Sequence, residues 1–125
     1  MKIHTVATAL LLGALALPAP ARADSTGPTG RVRSLTIATP GSDAYASYRG
    51  AVEIGQKKRP PVIYYFGRAY CPGKDLSDAQ VALLAEALED AGKIRITPRF
   101  KNGQGGRKCL VGFTLRRGGG GKHDD

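Results

Sequence analysis

The sequence is poor in the residues that most often carry metal and acid–base chemistry. Its 125 residues include no Trp, one Met, two Cys and two His. The histidines, His4 and His123, stand near opposite ends of the chain. A structural zinc site needs four ligands, usually Cys and His, and general acid–base catalysis most often uses a His. We therefore expect no metal site, no cofactor and no His-dependent enzyme.

Only one long apolar run is present, at residues 6–17. Lys2 precedes it, and Ala21 and Ala23 place small residues at the two positions that a signal peptidase reads. The run is shorter than the roughly 20 residues that span a membrane, so an uncleaved anchor is the weaker alternative. Residues 1–23 are predicted to be a secretory signal peptide. The mature protein is then expected in a bacterial periplasm or outside the cell.

The rest of the chain is long enough for one small domain. Residues 24–30 are polar and turn-rich, which predicts a flexible leader. Residues 116–125 contain four consecutive glycines, whose ordering costs much backbone entropy, so a basic, disordered tail is predicted there. A single domain is therefore expected at residues 31–115. Without Lys2 and Arg22, which belong to the predicted signal peptide, 17 of the 19 Lys and Arg residues remain, against 10 Asp and Glu residues.

One helix is predicted over residues 77–91. Ser77 and Gln80 have the spacing of a capping box, in which the two side chains satisfy free N–H groups at the helix start. Apolar residues then recur at the spacing of a single helix face: Val81, Leu84, Ala85 and Leu88.

Alternating and β-branched stretches predict four or five strands. They lie at residues 31–38, 61–66, 94–100 and 109–115, with a short additional candidate at 51–56. Pro98 favours an edge position or a bulge, and Asn102 with Gly103 indicates the turn of a final hairpin. The order β-(β)-β-α-β-β predicts the α+β class, with one amphipathic helix on a small, mainly antiparallel sheet.

The two cysteines are predicted to form one disulfide. Cys71 lies just before the helix and Cys109 begins the last strand. In an oxidising compartment, a small domain with two cysteines usually bonds them. The alternative is a reactive thiol at Cys71, whose pKa a helix N-terminus could lower.

Charge is unevenly distributed. Residues 75–90 carry five acids and no base, whereas residues 91–123 carry nine bases and no acid. Strand alternation directs several of these bases to the solvent side of the hairpin. We predict that they form a basic binding surface: Arg95, Arg99, Lys101, Arg107 and Lys108. The alternative is that these charges only keep the protein soluble and protect a sheet edge.

All five tyrosines fall between residues 45 and 70. Tyr64 and Tyr65 are neighbours on one predicted strand, so their rings point to opposite faces of the sheet. One ring is expected in the core, and the other is a candidate platform for stacking or hydrogen bonding.

Composition and charge favour a binding protein over an enzyme. We expect an exported accessory protein that recognises an anionic polymer or an acidic protein surface through its basic C-terminal hairpin. Two alternatives stay open. One is a secreted, nuclease-like hydrolase that uses Glu53 with a nearby Arg, and the other is a structural protein of the cell envelope with no ligand.

Overall fold

The computed structural model of the protein describes residues 23–118. It contains one α-helix, six strands and two short 3₁₀ helices, Asp43–Ala46 and Gln104–Gly106. The strands are β1 (Ser25–Thr26), β2 (Arg31–Ile37), β3 (Gly50–Gly55), β4 (Val62–Phe66), β5 (Ile94–Asn102) and β6 (Lys108–Arg117), and the helix α1 (Asp78–Glu89) joins β4 to β5. The predicted signal peptide, apart from Ala23, and residues 119–125 of the predicted tail lie outside the described residues. Within residues 23–118, no helix is long and apolar enough to cross a membrane.

The sheet curls into a barrel because residues 25–37 pair with β5 at their start and with β3 at their end. The strand order is β1-β5-β6-β4-β3-β2. β1 lies beside β5, and Gly30 still exchanges backbone hydrogen bonds with Ile96 of β5 (2.8 and 2.9 Å) before β2 turns to pair with β3. β4 and β6 are parallel, whereas the other neighbours are antiparallel. With β1 and β2 counted as one bent strand, this connectivity is that of a five-stranded, partly open OB-type barrel.

The α+β class is confirmed, but the predicted strand count and order are wrong. All five candidate strands are present, including the one around residues 51–56, and β1 is an additional strand. It lies within residues 24–30, the predicted leader, where Gly27 N–H also donates to Pro98 O at 2.9 Å. Backbone pairing of so short a segment produces no side-chain pattern that a sequence could reveal.

The C-terminal hairpin is longer than predicted. β6 continues to Arg117, so Arg116 and Arg117 belong to the sheet rather than to the tail. Pro98 is not on an edge strand, since β5 has neighbours on both sides, but a bulge follows directly at the next two residues. The bulge absorbs the irregularity that a proline introduces into a ladder.

The helix begins as its capping box predicts. Ser77 Oγ accepts from Gln80 N–H (3.1 Å), and Gln80 Oε1 accepts from Ser77 N–H (2.7 Å). Its buried residues are Leu84 and Ala87, whereas Leu88, placed on the apolar face by the spacing argument, is 37% exposed. The contact face therefore follows a three-residue spacing, Val81, Leu84 and Ala87, on the side of the helix that packs against β2 and β5.

The interior of the barrel is apolar and continuous. Its fully buried side chains are Val32, Val52, Ile54, Tyr64, Phe66, Leu84, Ile96 and Leu110, together with Leu76 and Ala87 at the helix. The predicted disulfide between Cys71 and Cys109 is present, with an S–S distance of 2.04 Å and both residues fully buried. It joins the segment before α1 to the start of β6.

Candidate functional site

Three tyrosine rings meet on the outer surface of the barrel. Tyr65 lies 5.3 Å from Tyr48 and 5.1 Å from Tyr70 between ring centroids, and Tyr48 lies 5.6 Å from Tyr70. The Tyr65 and Tyr70 rings are perpendicular, an arrangement in which the positive edge of one ring meets the negative face of the other. All three rings are half-buried.

The rings come from three separate segments. Tyr65 points outward from β4, whereas its neighbour Tyr64 is fully buried and packs 5.6 Å from Phe100 inside the barrel. Tyr48 follows the 3₁₀ helix Asp43–Ala46 in the β2–β3 loop, and Tyr70 lies between β4 and α1. The prediction that Tyr64 and Tyr65 occupy opposite sides of the sheet is confirmed, and the inner one is Tyr64.

The backbone of Tyr70 connects three loops. Its N–H donates to Ser47 O of the β2–β3 loop (2.8 Å), and its carbonyl accepts from Gln104 N–H of the β5–β6 loop (3.0 Å). Cys109 Sγ lies 3.5 Å from the same carbonyl. Because Cys71 follows Tyr70 directly, the disulfide holds this junction against β6. The position of the Tyr70 ring therefore depends on contacts that are distant in sequence.

Two arginines stack on tyrosines at this surface. The guanidinium carbon of Arg107 lies 3.7 Å from the centroid of the Tyr70 ring, and that of Arg68 lies 4.1 Å from the Tyr45 ring. Arg68 Nε also donates to Tyr45 O at 2.7 Å. Arg68 has a positive φ of 61°, which is uncommon for a residue other than Gly. We call Tyr48, Tyr65, Tyr70 and Arg107 the tyrosine face.

A shallow groove adjoins the tyrosine face. It measures about 150 Å³ and is lined by Ser34, Thr36, Tyr48, Ala51, Glu53, Ile63 and Tyr65. Ser34 Oγ donates to Glu53 Oε1 at 3.3 Å. The groove lies on the outer face of β2, β3 and β4, where Ser34 pairs with Glu53 and Glu53 pairs with Ile63. We call it the Glu53 groove.

The predicted basic surface is divided by the structure. Arg95, Arg99 and Lys101 lie on the outer side of β5, and Arg95 pairs with Arg116 of β6. Lys101 Nζ lies 3.7 Å from Asp24 Oδ1. Lys108 instead approaches Phe100 at 5.5 Å from the ring centroid. Arg107, at the tip of the hairpin, stacks on Tyr70 and so joins the predicted basic surface to the tyrosines.

Two acidic residues of the block at residues 75–90 form ion pairs with Arg49. Arg49 Nε donates to Asp75 Oδ1 at 3.0 Å, and another guanidinium nitrogen of Arg49 lies 3.5 Å from Asp78 Oδ1. A hydrogen bond from Arg49 to Leu76 O (2.9 Å) completes this contact. These acids therefore fasten the start of α1 to the β2–β3 loop.

Burial affects the titration of one tyrosine. The pKa of Tyr64 is raised above its ordinary value of 10.0 because the charged form would lose its hydration inside the barrel. Its hydroxyl has no hydrogen-bond partner in the described structure. Tyr64 is thus a core residue. Among residues 23–118, no group of three or more His, Cys, Asp or Glu side chains is placed to hold a metal ion.

Sequence reasoning missed Tyr48 and Tyr70 as members of the site. The signal that could have suggested them is the concentration of all five tyrosines within residues 45–70. It could not show which rings meet, because Tyr48 and Tyr70 lie in loops that have no alternation to indicate a face.

Comparison of the chain with protein-family models, with curated proteins and with solved structures finds no match.

Proposed function

We propose that the protein is an exported binding module that holds an anionic polymer on the tyrosine face. The observation that carries this proposal is the convergence of three tyrosine rings and the Arg107 guanidinium, from four chain segments, on one outer surface. Clustered rings beside a cation bind flexible polyanions, because the rings stack on flat groups of the polymer while the cation attracts its charges.

The topology supports the same surface by analogy with other proteins of this connectivity. In OB-type barrels, oligonucleotides and oligosaccharides bind to the face of the second and third barrel strands and to two adjoining loops. The corresponding strands are β3 and β4, and the loops are β2–β3, with Tyr48, and β5–β6, with Arg107. A shared fold does not establish a shared function. The proposal therefore rests on the contacts of the tyrosine face, and the topology only supports it.

The outer basic residues of the hairpin have a different part in this proposal. Arg95, Arg99 and Arg116 increase the local concentration of a polyanion and its rate of association. Such steering weakens as salt rises, whereas contacts to the tyrosine rings persist. The earlier prediction that the hairpin as a whole is the binding surface is thus narrowed to its tip at Arg107.

Three other functions considered from the sequence stay predictions: a hydrolase, a protein that binds an acidic protein surface, and a structural protein. A hydrolase that uses Glu53 with an Arg would need that Arg close by, and the groove-lining residues in the described part include no Arg. An acidic protein surface as partner would also use the tyrosine rings, as anchors of a protein interface. No specific observation favours a structural role.

The test measures binding of the purified protein to a labelled polygalacturonate and to a labelled oligodeoxythymidine by fluorescence anisotropy. Wild type, Tyr65→Ala, Arg107→Gln and the matched control Arg116→Gln are compared at low salt and at about 0.15 M salt. At the higher salt, we expect Tyr65→Ala to weaken binding roughly tenfold and Arg107→Gln several-fold. Arg116→Gln should change it by less than about twofold.

Two results would contradict the proposal. One is equal loss in Arg107→Gln and Arg116→Gln, which would assign binding to total charge. The other is the absence of polyanion binding by wild type at physiological salt, which would direct attention to an acidic protein partner.

A further inference from the structure

The Glu53 groove has a chemistry that the anionic-polymer proposal alone does not explain. It places the Glu53 carboxylate beside the tyrosine face, where an anionic polymer is proposed to bind. The groove-lining residues also supply hydroxyl groups, from Ser34 and Thr36, beside the rings of Tyr48 and Tyr65. A ligand that fits must therefore offer hydrogen-bond donors to Glu53 and a flat apolar side to a tyrosine.

A phosphate group fits this groove poorly. A phosphodiester placed beside Glu53 would bring two negative charges together, and such juxtaposition is unfavourable. The lining residues of the described groove include no Lys or Arg to offset that cost. The phosphates of a nucleic acid are therefore disfavoured here, even though Arg107 and Arg68 lie at the neighbouring loops.

A cationic ligand fits the carboxylate but not the protein as a whole. Without the predicted signal peptide, 17 basic residues remain against 10 acidic ones, a formal net charge of +7. A field of that sign repels amines and polyamines before they reach the groove. The remaining class is a hydroxyl-rich sugar ring that turns its hydroxyl groups toward Glu53 and whose polymer carries its negative charges on the side away from the groove.

We propose that the Glu53 groove binds one sugar ring of an anionic oligosaccharide. The inference rests on the proposed function, since the rest of the oligosaccharide lies on the tyrosine face. Glu53 accepts hydrogen bonds from the hydroxyl groups of the ring, Ser34 and Thr36 bond to further hydroxyls, and Tyr65 packs against the C–H side of the ring.

The size of the groove agrees with one ring rather than a larger group. Its volume of about 150 Å³ is below the roughly 300–1,000 Å³ of pockets that enclose drug-sized molecules. Its open side faces the exterior of the sheet, so a chain can continue from the bound ring in either direction.

The tyrosine face supplies a path for that chain. Tyr65 lines the groove and contacts the Tyr70 ring, on which the Arg107 guanidinium stacks. A chain that leaves the groove beside Tyr65 therefore passes over Tyr70 to Arg107. Acidic groups of neighbouring sugars are then expected near Arg107, while the neutral face of one ring occupies the groove.

The experiment compares two probes on the same variants by isothermal titration calorimetry. The probes are an oligogalacturonate, which has hydroxyls and carboxylates, and an oligodeoxythymidine, which has phosphates. The variants are Glu53→Gln, which keeps the shape but removes the charge, and Glu86→Gln, a matched control at an exposed carboxylate of α1. Thr36→Val removes a groove hydroxyl without altering Glu53.

We expect wild type to bind the oligogalacturonate more tightly than the oligodeoxythymidine. Glu53→Gln should weaken oligogalacturonate binding about tenfold, the effect of one charge-assisted hydrogen bond. It should leave oligodeoxythymidine binding unchanged or make it tighter, because a negative charge is removed. Thr36→Val should weaken oligogalacturonate binding a few-fold, and Glu86→Gln should match wild type.

Several outcomes separate this inference from the proposed function. Tyr65→Ala is titrated beside them as the tyrosine-face variant. If it weakens oligogalacturonate binding while Glu53→Gln has no effect, the sugar site is wrong and the polymer-binding face stands. Equal weakening of both probes by Glu53→Gln, at an unchanged Tm, also overturns the sugar site. Displacement of the oligogalacturonate by spermidine in wild type but not in Glu53→Gln would assign the groove to amines. If neither these variants nor Tyr65→Ala changes either affinity, both proposals fail.

Discussion

Two outer surfaces of the barrel differ in how many contacts between distant chain segments hold their side chains in place. The outer side of β5 and β6 is rich in charge, with Arg95 and Arg116 paired across the hairpin. The tyrosine face has one arginine, yet its rings contact one another, and the Tyr70 backbone joins three loops beside a disulfide. Charge on a regular strand follows from alternation alone. A convergent aromatic cluster requires several loops to be held together, which is the stronger indication of a binding site.

Of the changes considered, removal of the disulfide is expected to have the largest effect, because the disulfide holds the tyrosine face but not the outer side of β5 and β6. The double variant Cys71→Ala/Cys109→Ala should lose roughly 4 kcal/mol of unfolding free energy on the chain-entropy model for a 38-residue separation. It should also loosen the junction at Tyr70 more than the distant part of the hairpin.

Urea unfolding measures the first effect, and amide hydrogen exchange measures the second. Under native conditions, the Tyr70 and Gln104 amides should exchange much faster, whereas the Ile96 amide should exchange only as fast as the lower global stability requires. Uniform acceleration at all three amides would show that the disulfide does not organise the tyrosine face.

Crowding of the same junction is expected to have the next largest effect. A methyl group on Gly103 would collide with Cys109 Sγ and with Tyr70 O. Gly103→Ala should therefore lower the unfolding free energy by about 1–3 kcal/mol and weaken polymer binding. Gly41→Ala, where a methyl group meets nothing within 4 Å, is the matched control. Equal effects of the two changes on thermal unfolding would contradict the close approach at Gly103.

Tyr64, the buried neighbour of Tyr65, is expected to affect the stability of the fold and its dependence on pH. The Tyr64 hydroxyl is buried without a partner in the described structure, so Tyr64→Phe should leave the unfolding free energy unchanged or raise it by about 1 kcal/mol. The folded state raises the pKa of Tyr64 above 10.0. Its neutral form is therefore favoured in the fold, and this contribution is lost as pH rises through and above the unfolded value.

Tm measured as a function of pH checks this expectation. Wild type should lose stability above about pH 10 more steeply than Tyr64→Phe. A loss of more than about 1 kcal/mol in Tyr64→Phe at neutral pH would indicate that the hydroxyl is hydrogen-bonded after all.

The smallest expected effect separates charge from stacking. Arg107→Lys keeps the positive charge but loses the planar guanidinium that stacks on Tyr70. We expect polymer binding to weaken by about 0.5–1 kcal/mol, while Arg99→Lys on the exposed side of β5 leaves the dissociation constant unchanged. Anisotropy titrations of both variants in parallel provide the measurement. Identical affinities for the two would mean that Arg107 acts only as a charge.

Local features of the chain were predictable wherever the physical cause is local. The capping box of Ser77 and Gln80 involves residues three apart, so its presence in the sequence was sufficient to place the start of α1. Strand alternation correctly separated Tyr64 from Tyr65. The disulfide was predictable for a different reason, since two cysteines leave a single possible intramolecular pairing.

The site was predictable only in part. Arg107 was expected at a binding surface because it belongs to the run of nine bases within residues 91–123. Its contact with Tyr70, however, spans 37 residues and depends on how β4 and β6 pair. Glu53 was considered as a catalytic acid, whereas the structure places it in a groove with Ser34 and two tyrosines. Such neighbours belong to different strands, and no periodicity along one strand specifies them.

The α+β class, the capped helix, most of the strands and the disulfide could be predicted from the residues, because these features follow from backbone periodicity, capping chemistry and cysteine count. Three features became visible only in the folded protein: the closure of the barrel through β1 and Gly30, the parallel pairing of β4 with β6, and the contact among Tyr48, Tyr65 and Tyr70. These features depend on backbone hydrogen bonds and loop contacts between residues distant in the chain. Any side chain can accompany such bonds, so the sequence pattern carries little trace of them.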